Sequence, residues 1–458
     1  MTVDVNAAFK WQCQPEAENF IIEIVEKACQ QNPFIEHLKQ QLLTQTSTRL
    51  FDWIDHVMIG YDAEHEKRLL NSGFVADHAM PTYRIFHHPG AQLPRIVLQD
   101  DGRPVGGLAL SVESIADFLM VRGMSAKIEG SPWSGYRRCC VSSENDVSLW
   151  VIERRGTQTC EPTYPNLGYL EKYFLCLETW KSRPRSLFDE DEAMKQTLKI
   201  AAKIVEELGE DLAASLVLGC ERDYWQSRNT AAQVQKNRQD RLGMGWANHD
   251  HHTFRSSRKQ FVHLVRLFEM LGFYCRERYY TGKEAGWGAQ IMENPRARLV
   301  LFLDVDLTPD EVTIDFAHHP LSETDHLGTI GLWCALHGDS ILNAGMHHLE
   351  AQFFFEELKK DLASTGIGMM EPFSFFPYLK QAFTKGEQWD VDHKRIDGIF
   401  AKKLITDEQA EKFRKTGAVG SHLENLQRRE GYKGFNQKNV SIIIQKTDAR
   451  TIGQSLDG

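Results

Sequence analysis

The run HDHHTFRSSRKQFVHLVRLFEMLGFYCRERYY, residues 249–280, reads as a strand, a helix and the start of a second strand. The helix declares itself by register: Phe261, Leu264, Val265, Phe268 and Leu271 recur at three and four and form one apolar face. Gly272 closes it, as glycine does where the residue after a helix turns left-handed. FYCRERYY then opens a stretch rich in aromatic residues, which suit a pleated surface.

Outward from this run, the pattern occurs four times. The initiating strands are WIDHVMIG, GGLALSV, HDHHTFRS and GMHHLEAQ, and the helices that follow close at Gly73, Gly123, Gly272 and Gly366. In the fourth, Phe354, Leu358 and Leu362 stand at i, i+4 and i+8. Short strand-like runs such as TYRIF, RIVLQ, YRRCCV, SLWVIE and RLVLFLDV come after. A single βαβββ unit cannot satisfy its own sheet, so four units imply two pairs, each closing a curved sheet around a cavity. The expected fold class is α+β, with duplicated pairs of βαβββ modules.

Ahead of the first unit, Phe20, Ile21, Ile24, Val25 and Ala28 predict a helix that Asn32-Pro33 stops. Between the halves, Met194–Leu218 and Tyr224–Leu242 are helix-prone with little Gly or Ser, which predicts a helical insert. The expected divisions are a helical segment over 1–48, a degenerate module pair over 49–160, a helical connector over 161–245, and a metal-binding pair over 246–458.

Composition sets the class of function. The 458 residues carry a formal charge of −10 with no basic stripe, which argues against a nucleic-acid groove. Hydrophobic residues at 42% and charged residues at 25% fit a globular chain. No run approaches the roughly 18 apolar residues of a membrane span. The opening MTVDVNAAFKWQC lacks the features of a signal peptide. Nine cysteines without a CxxC pair fit reduced thiols. The expectation is a soluble cytoplasmic protein with no nucleic-acid or membrane partner, an enzyme acting on something small.

Three of the four initiating strands contain histidine: His56, the group His249, His251 and His252, and the pair His347-His348. Singly, a strand histidine is ordinarily a hydrogen-bonded core residue. Recurrence at equivalent positions of a repeat points to metal, because neutral imidazole is the commonest transition-metal ligand and facing strands converge on one ion. Carboxylates able to complete a site are Glu293, Glu350 and Glu424; Asp304 and Asp306 alternate with an apolar strand and fit edge or surface positions equally well, and spacing does not choose among them.

Taken together, the strand-helix-glycine repeats with strand histidines resemble the vicinal-oxygen-chelate superfamily. Within it, the C-terminal half resembles the 2-oxoadipate dioxygenase/decarboxylase (hydroxyglutarate synthase) family. The segments that carry this are DHHTFRSS, MHHLEAQ, SHLENLQRR and GFNQKNVSIIIQKTD; WIDHVMIG and RIFHHPGAQLPRIVL look like a second copy. The resemblance implies His251, His348 and Glu424 as ligands to Fe(II) or another divalent metal, with His347 as a substitute for His348. It implies O₂ and a small carboxylate, a 2-oxo acid, as substrates, and a 2-hydroxy acid as product. Arg255 would share the strand face of His251, since strand faces alternate by two, and would grip a substrate carboxylate in a planar fork. An extradiol-type enzyme, isomerase or lyase on the same metal stands beside this, with His252 or His249 as acid/base for ring cleavage; so does a binding protein that kept the fold. Two departures are visible. Glu350 follows the second ligand histidine where relatives carry threonine, and the N-terminal copy offers only His56 and Glu153 at ligand positions.

Overall fold

The structure is a computed structural model that describes residues 11–80, 82–99, 105–186, 189–282, 285–435 and 448–450. Most of the segment GFNQKNVSIIIQKTD, from residue 436 to 447, lies outside the described residues. The helix expected before Asn32-Pro33 is α1 (Pro15–Gln31). Asn32 then caps α2 (Pro33–Thr46) through the Phe34 amide.

The first unit runs β1 (Ile54–Gly60), α3 (Ala63–Asn71), β2 (Val75–Met80), β3 (Tyr83–His87) and β4 (Arg95–Gln99). The second runs β5 (Gly107–Ser111), α4 (Ile115–Val121), β6 (Tyr136–Glu144) and β7 (Val147–Arg154). It is one strand short of the expected unit. Residues 124–135, which include Gly130, Pro132 and Gly135, pair with the sheet through the isolated bridge Glu129–Arg138; proline and glycine both weaken a ladder.

Four helices follow: α5 (Tyr169–Lys181), α6 (Glu190–Leu208), α7 (Glu210–Gln226) and α8 (Thr230–Asp240). The run Met194–Leu218 is broken at Gly209, where φ is +77°. Trp180, Ile204, Val217 and Trp225 from these helices share one core with the sheet and helices that follow.

The third unit is β8 (His249–Arg255), α9 (Phe261–Met270), β9 (Tyr274–Tyr280), β10 (Trp287–Asn294) and β11 (Leu299–Asp306). After α10 (Thr329–His337), the fourth begins with β12 (His348–Gln352), α11 (Phe355–Ala363), β13 (Ser374–Phe376) and β14 (Leu379–Phe383). An excursion through β15 (Glu387–Trp389), α12 (His393–Ala401) and α13 (Asp407–Thr416) precedes its last strand, β16 (Ala418–Arg428). The glycines expected to close the unit helices do so with left-handed φ, +86° at Gly73, +61° at Gly123, +76° at Gly272 and +83° at Gly366.

The strands form two sheets, ordered β2-β3-β4-β1-β5-β7-β6 and β13-β14-β16-β12-β8-β11-β10-β9, with β15 added against β16. In each, the first strands of two units meet antiparallel, β1 with β5 and β8 with β12. Each first strand also takes its own unit's last strand in parallel. The fold is α+β, built as two pairs of units. No helix among the described residues is long and apolar enough to cross a membrane.

Period-two alternation divides the faces. In the second sheet, Phe254, Leu303, Leu349 and Leu423 join the core with Phe261, Leu264 and Phe268 of α9 and Leu358 of α11. In the first, Val57, Ile59, Leu108, Leu110 and Leu149 pack with α1, α2 and α4. The opposite face of the first sheet is filled by its own side chains and by Cys160 from the segment after β7: Met58, Tyr83, Ile85, Val97 and Cys160 form one cluster, and Ala109, Tyr136 and Ile152 another.

Candidate metal centre

Register builds the site. β12 lies between β8 and β16, and Glu350 stands opposite His251 on one side and Glu424 on the other. With Leu349 and Leu423 turned into the core, the alternate residues His251, Thr253, Arg255, His348, Glu350, His422 and Glu424 line a cavity of about 70 Å³. Phe302, Phe383 and Phe435 supply apolar wall.

The ligand atoms of His251, His348 and Glu424 lie within 4.8 Å of one another. His348 Nε2 is 2.9 Å from Glu424 Oε2, and His251 Nε2 is 2.5 Å from Glu350 Oε2. That second contact is not a hydrogen bond, because among the described residues Glu350 Oε2 has no hydrogen-bond partner. Among the described residues, neither Glu350 nor Glu424 forms an ion pair with lysine or arginine; they meet imidazoles, Gln381 Nε2 at 3.3 Å from each carboxylate, and each other. Two buried carboxylates facing imidazole nitrogens, without a cationic side chain to neutralise them, fit a divalent cation.

A bulge orients the first histidine. β12 residues Glu350 and Ala351 face His251 and His249, which leaves Asp250 as the extra residue of β8. Its carboxylate accepts from Arg428 at 3.1 and 3.2 Å and lies 3.2 Å from His251 Nδ1, so Nε2 is the nitrogen left to face the cavity. Burial opposes the charge on Asp250, but Arg428 and His251 hold its carboxyl below the usual range.

Electrostatics at the cavity follow from burial. It lowers His251, and with the Arg255 charge brings His348 down to about 3, so both imidazoles are neutral at pH 7. Burial pushes Glu424 up to about 7 and, with the charges of Glu424 and Asp250, raises Glu350 well above the carboxylate range.

Arg255 faces the same cavity and is buried. Among the described residues, its Nε has no hydrogen-bond partner and its nearest carboxylate oxygen is Asp304 Oδ2 at 3.9 Å; its guanidinium lies 5.5 Å from the Trp333 ring. Asp304 is itself pushed up to about 7 by burial, with the Glu424 charge adding to this and Arg255 opposing it. The result is a buried cation whose strongest neighbour is a weakly acidic carboxyl.

The other singled-out residues separate cleanly. His347 lines the cavity, but its Nδ1 lies 3.1 Å from the Gly420 carbonyl, and the histidine that meets Glu424 is His348. His249 and His252 face away, into a wide cleft between the two halves, so they do not supply the acid/base expected of a ring-cleaving site. Glu293 pairs with Arg276 and Lys433, outside the cavity. Asp304 and Asp306 are buried rather than superficial, because β11 runs between β8 and β10; Asp306 accepts from the Ile330 and Gly331 amides at the start of α10.

In the N-terminal half, His56 Nδ1 contacts Asp55 at 2.7 Å, and Glu153 is held by Arg137 and Arg155. Neither belongs to a group of potential ligands among the described residues. Gln381 escaped the sequence reading. The signal was a lone amide in the apolar strand LKQAF, but its meaning depends on β14 pairing with β16.

No protein-family model matches the sequence, and no curated protein does. Among solved structures, a triple mutant of 4-hydroxymandelate synthase from Streptomyces coelicolor is 12% identical at a TM-score of 0.29, over 88% of this chain and 98% of that one. A xylose isomerase-like TIM barrel/4-hydroxyphenylpyruvate dioxygenase fusion protein is 11% identical at 0.24, over 89% of this chain and 53% of that one. Methylmalonyl-CoA epimerase from Mycobacterium tuberculosis is 10% identical at 0.23, over 40% and 89%. The strand order joins four units in two antiparallel pairs, the arrangement expected of duplicated βαβββ modules.

Proposed function

We propose that the chain is a non-haem Fe(II)-dependent dioxygenase/decarboxylase that takes a 2-oxo acid to the 2-hydroxy acid one carbon shorter, with release of CO₂. One observation carries this reading: a single cavity holds two neutral histidines and a carboxylate together with a buried arginine that, among the described residues, has no hydrogen-bonded carboxylate. His251, His348 and Glu424 would hold the ion, and bound Fe(II) would supply the reactivity toward O₂ that side chains lack. Asp250 fixes the ring of His251, and Gln381 holds the carboxylate of Glu424. Arg255 grips a carboxylate of the substrate, whose charge replaces the weak partnership with Asp304. Phe302, Phe383 and Phe435 keep bulk water from the reacting carbons.

The test is metal analysis of protein purified without chelator, followed by an oxygen-electrode screen of 2-oxo acids on Fe(II)-loaded protein. Oxygen uptake with stoichiometric CO₂, without added 2-oxoglutarate as co-substrate, is the expected result. Uptake with a catechol but with no 2-oxo acid would replace this reading by extradiol-type cleavage. A metal-bound protein inert to O₂ would point to an isomerase or lyase, and protein without stoichiometric metal to a binding role.

A further inference from the structure

Glu350 is the feature that a two-histidine, one-carboxylate site does not use. It is completely buried, sits at the centre of the three strands that build the site, and faces His251 across one ladder and Glu424 across the other. Its Oε2 lies 2.5 Å from His251 Nε2, the nitrogen that Asp250 leaves free for a metal, and yet makes no hydrogen bond among the described residues. A protonated imidazole would donate along that line; two lone pairs aimed at a common point would not. Among the described residues, the basic side chain whose charge bears chiefly on Glu350 is Arg428, and Arg428 is committed to Asp250. With Asp250, His251 and Glu350 form a second group of ligand atoms within 4.8 Å of one another, which shares His251 with the group of His251, His348 and Glu424.

We infer that Glu350 is a fourth protein ligand to the metal, an inference that rests on the metal-site reading above. Two carboxylates would then neutralise a divalent ion, where one would leave a net positive charge in a dry cavity. Four protein donors leave about two positions of an octahedral ion for substrate and O₂, rather than about three. Glu350 thus limits how many donor atoms the substrate can bring while O₂ is also bound.

The experiment uses the full chain and Mn²⁺ alone, with affinity read by calorimetry, in wild type, Glu350→Gln and Glu424→Ala. The near-isosteric Glu350→Gln should fold, and it removes one of two facing buried carboxylates. The metal-free variant should therefore melt at or above the metal-free wild type, while its Mn²⁺ affinity falls at least about tenfold. Co²⁺-loaded Glu350→Gln should show a visible absorption band displaced from that of wild type, which a residue outside the coordination shell would leave in place. A smaller loss of affinity, or an unmoved Co²⁺ band, overturns the assignment of Glu350 while the three-ligand site stands. A lower melting temperature for the metal-free variant overturns it too, since the carboxylate would then be satisfied without an ion. If wild type binds no Mn²⁺, or Glu424→Ala binds it as well as wild type, the site reading itself fails and this inference with it.

Discussion

His251 divides its ring between two tasks: Nδ1 faces Asp250, and Nε2 faces the cavity. Alanine at 251 or at 424 should abolish metal binding while far-UV circular dichroism stays native, because each truncation empties a polar pocket rather than breaking a core face. His56→Ala should leave the metal content of purified protein unchanged; loss of metal there with retention in His251→Ala would put the site in the other half. Arg255→Lys should keep the metal and weaken a 2-oxo acid about ten- to a hundredfold, the worth of a charge-assisted pair of roughly 1.5–3 kcal/mol. Kinetics unmoved by that change would make Arg255 a structural cation. At this scale the sequence was informative where chemistry recurs, since histidines at like positions of like strands stood out. It was silent on which face each occupies: the bulge at Asp250 is a property of pairing with β12, so that His251 and His252 were indistinguishable in the string HDHH.

The elements around the site are tied by a buried ion cluster in the helical stretch between the halves. Glu221 of α7 accepts from Arg183, Arg185 and Trp180, and Arg183 donates onward to the Ile341 carbonyl just before β12. Burial raises the Glu221 carboxyl, but the charges of Arg183 and Arg185 outweigh it and hold it below the usual value. A depressed acid stabilises the fold above its unfolded pKa and loses that contribution as pH falls through its folded pKa. Melting temperature should therefore drop below about pH 4, and Glu221→Gln should flatten that part of the profile. Glu221→Ala, which strands Arg183 in the core, should cost about 3–5 kcal/mol in chemical denaturation. The unit helices were readable because an apolar face and a closing glycine are local signals. The missing strand of the second unit and the sharing of a core between connector and second sheet were not, since both depend on contacts far apart in the chain.

Across the whole molecule, duplication produced two cups with different contents. The first is packed with Met58, Tyr83, Tyr136 and Ile152, while the second keeps an open cavity with polar walls. One metal ion per chain is the expected stoichiometry, measured by elemental analysis after saturation and desalting. That ion should stabilise wild type by about 2.7 kcal/mol at a hundred times its dissociation constant, and His251→Ala by nothing measurable. The overall plan was legible because four copies of one pattern make each other visible. That the first cup is filled was foreshadowed only by its lack of a second histidine; packing by Tyr136 and Cys160 is a matter of three dimensions.

Glu424 reaches the cavity because β16 pairs with β12 in a register that points even-numbered residues 422 and 424 inward and Leu423 outward. Loss of a single codon between those for Ala418 and Ser421, in frame, would leave nearly every residue of the protein intact. It would also turn the segment after it over, carrying the carboxylate to the core side, Leu423 to the cavity face and Asn425 to the place of the ligand. A three-base deletion in the last strand of this gene would therefore empty the site as surely as loss of a ligand, and a comparison that counts only substitutions would score such an allele as almost wild type.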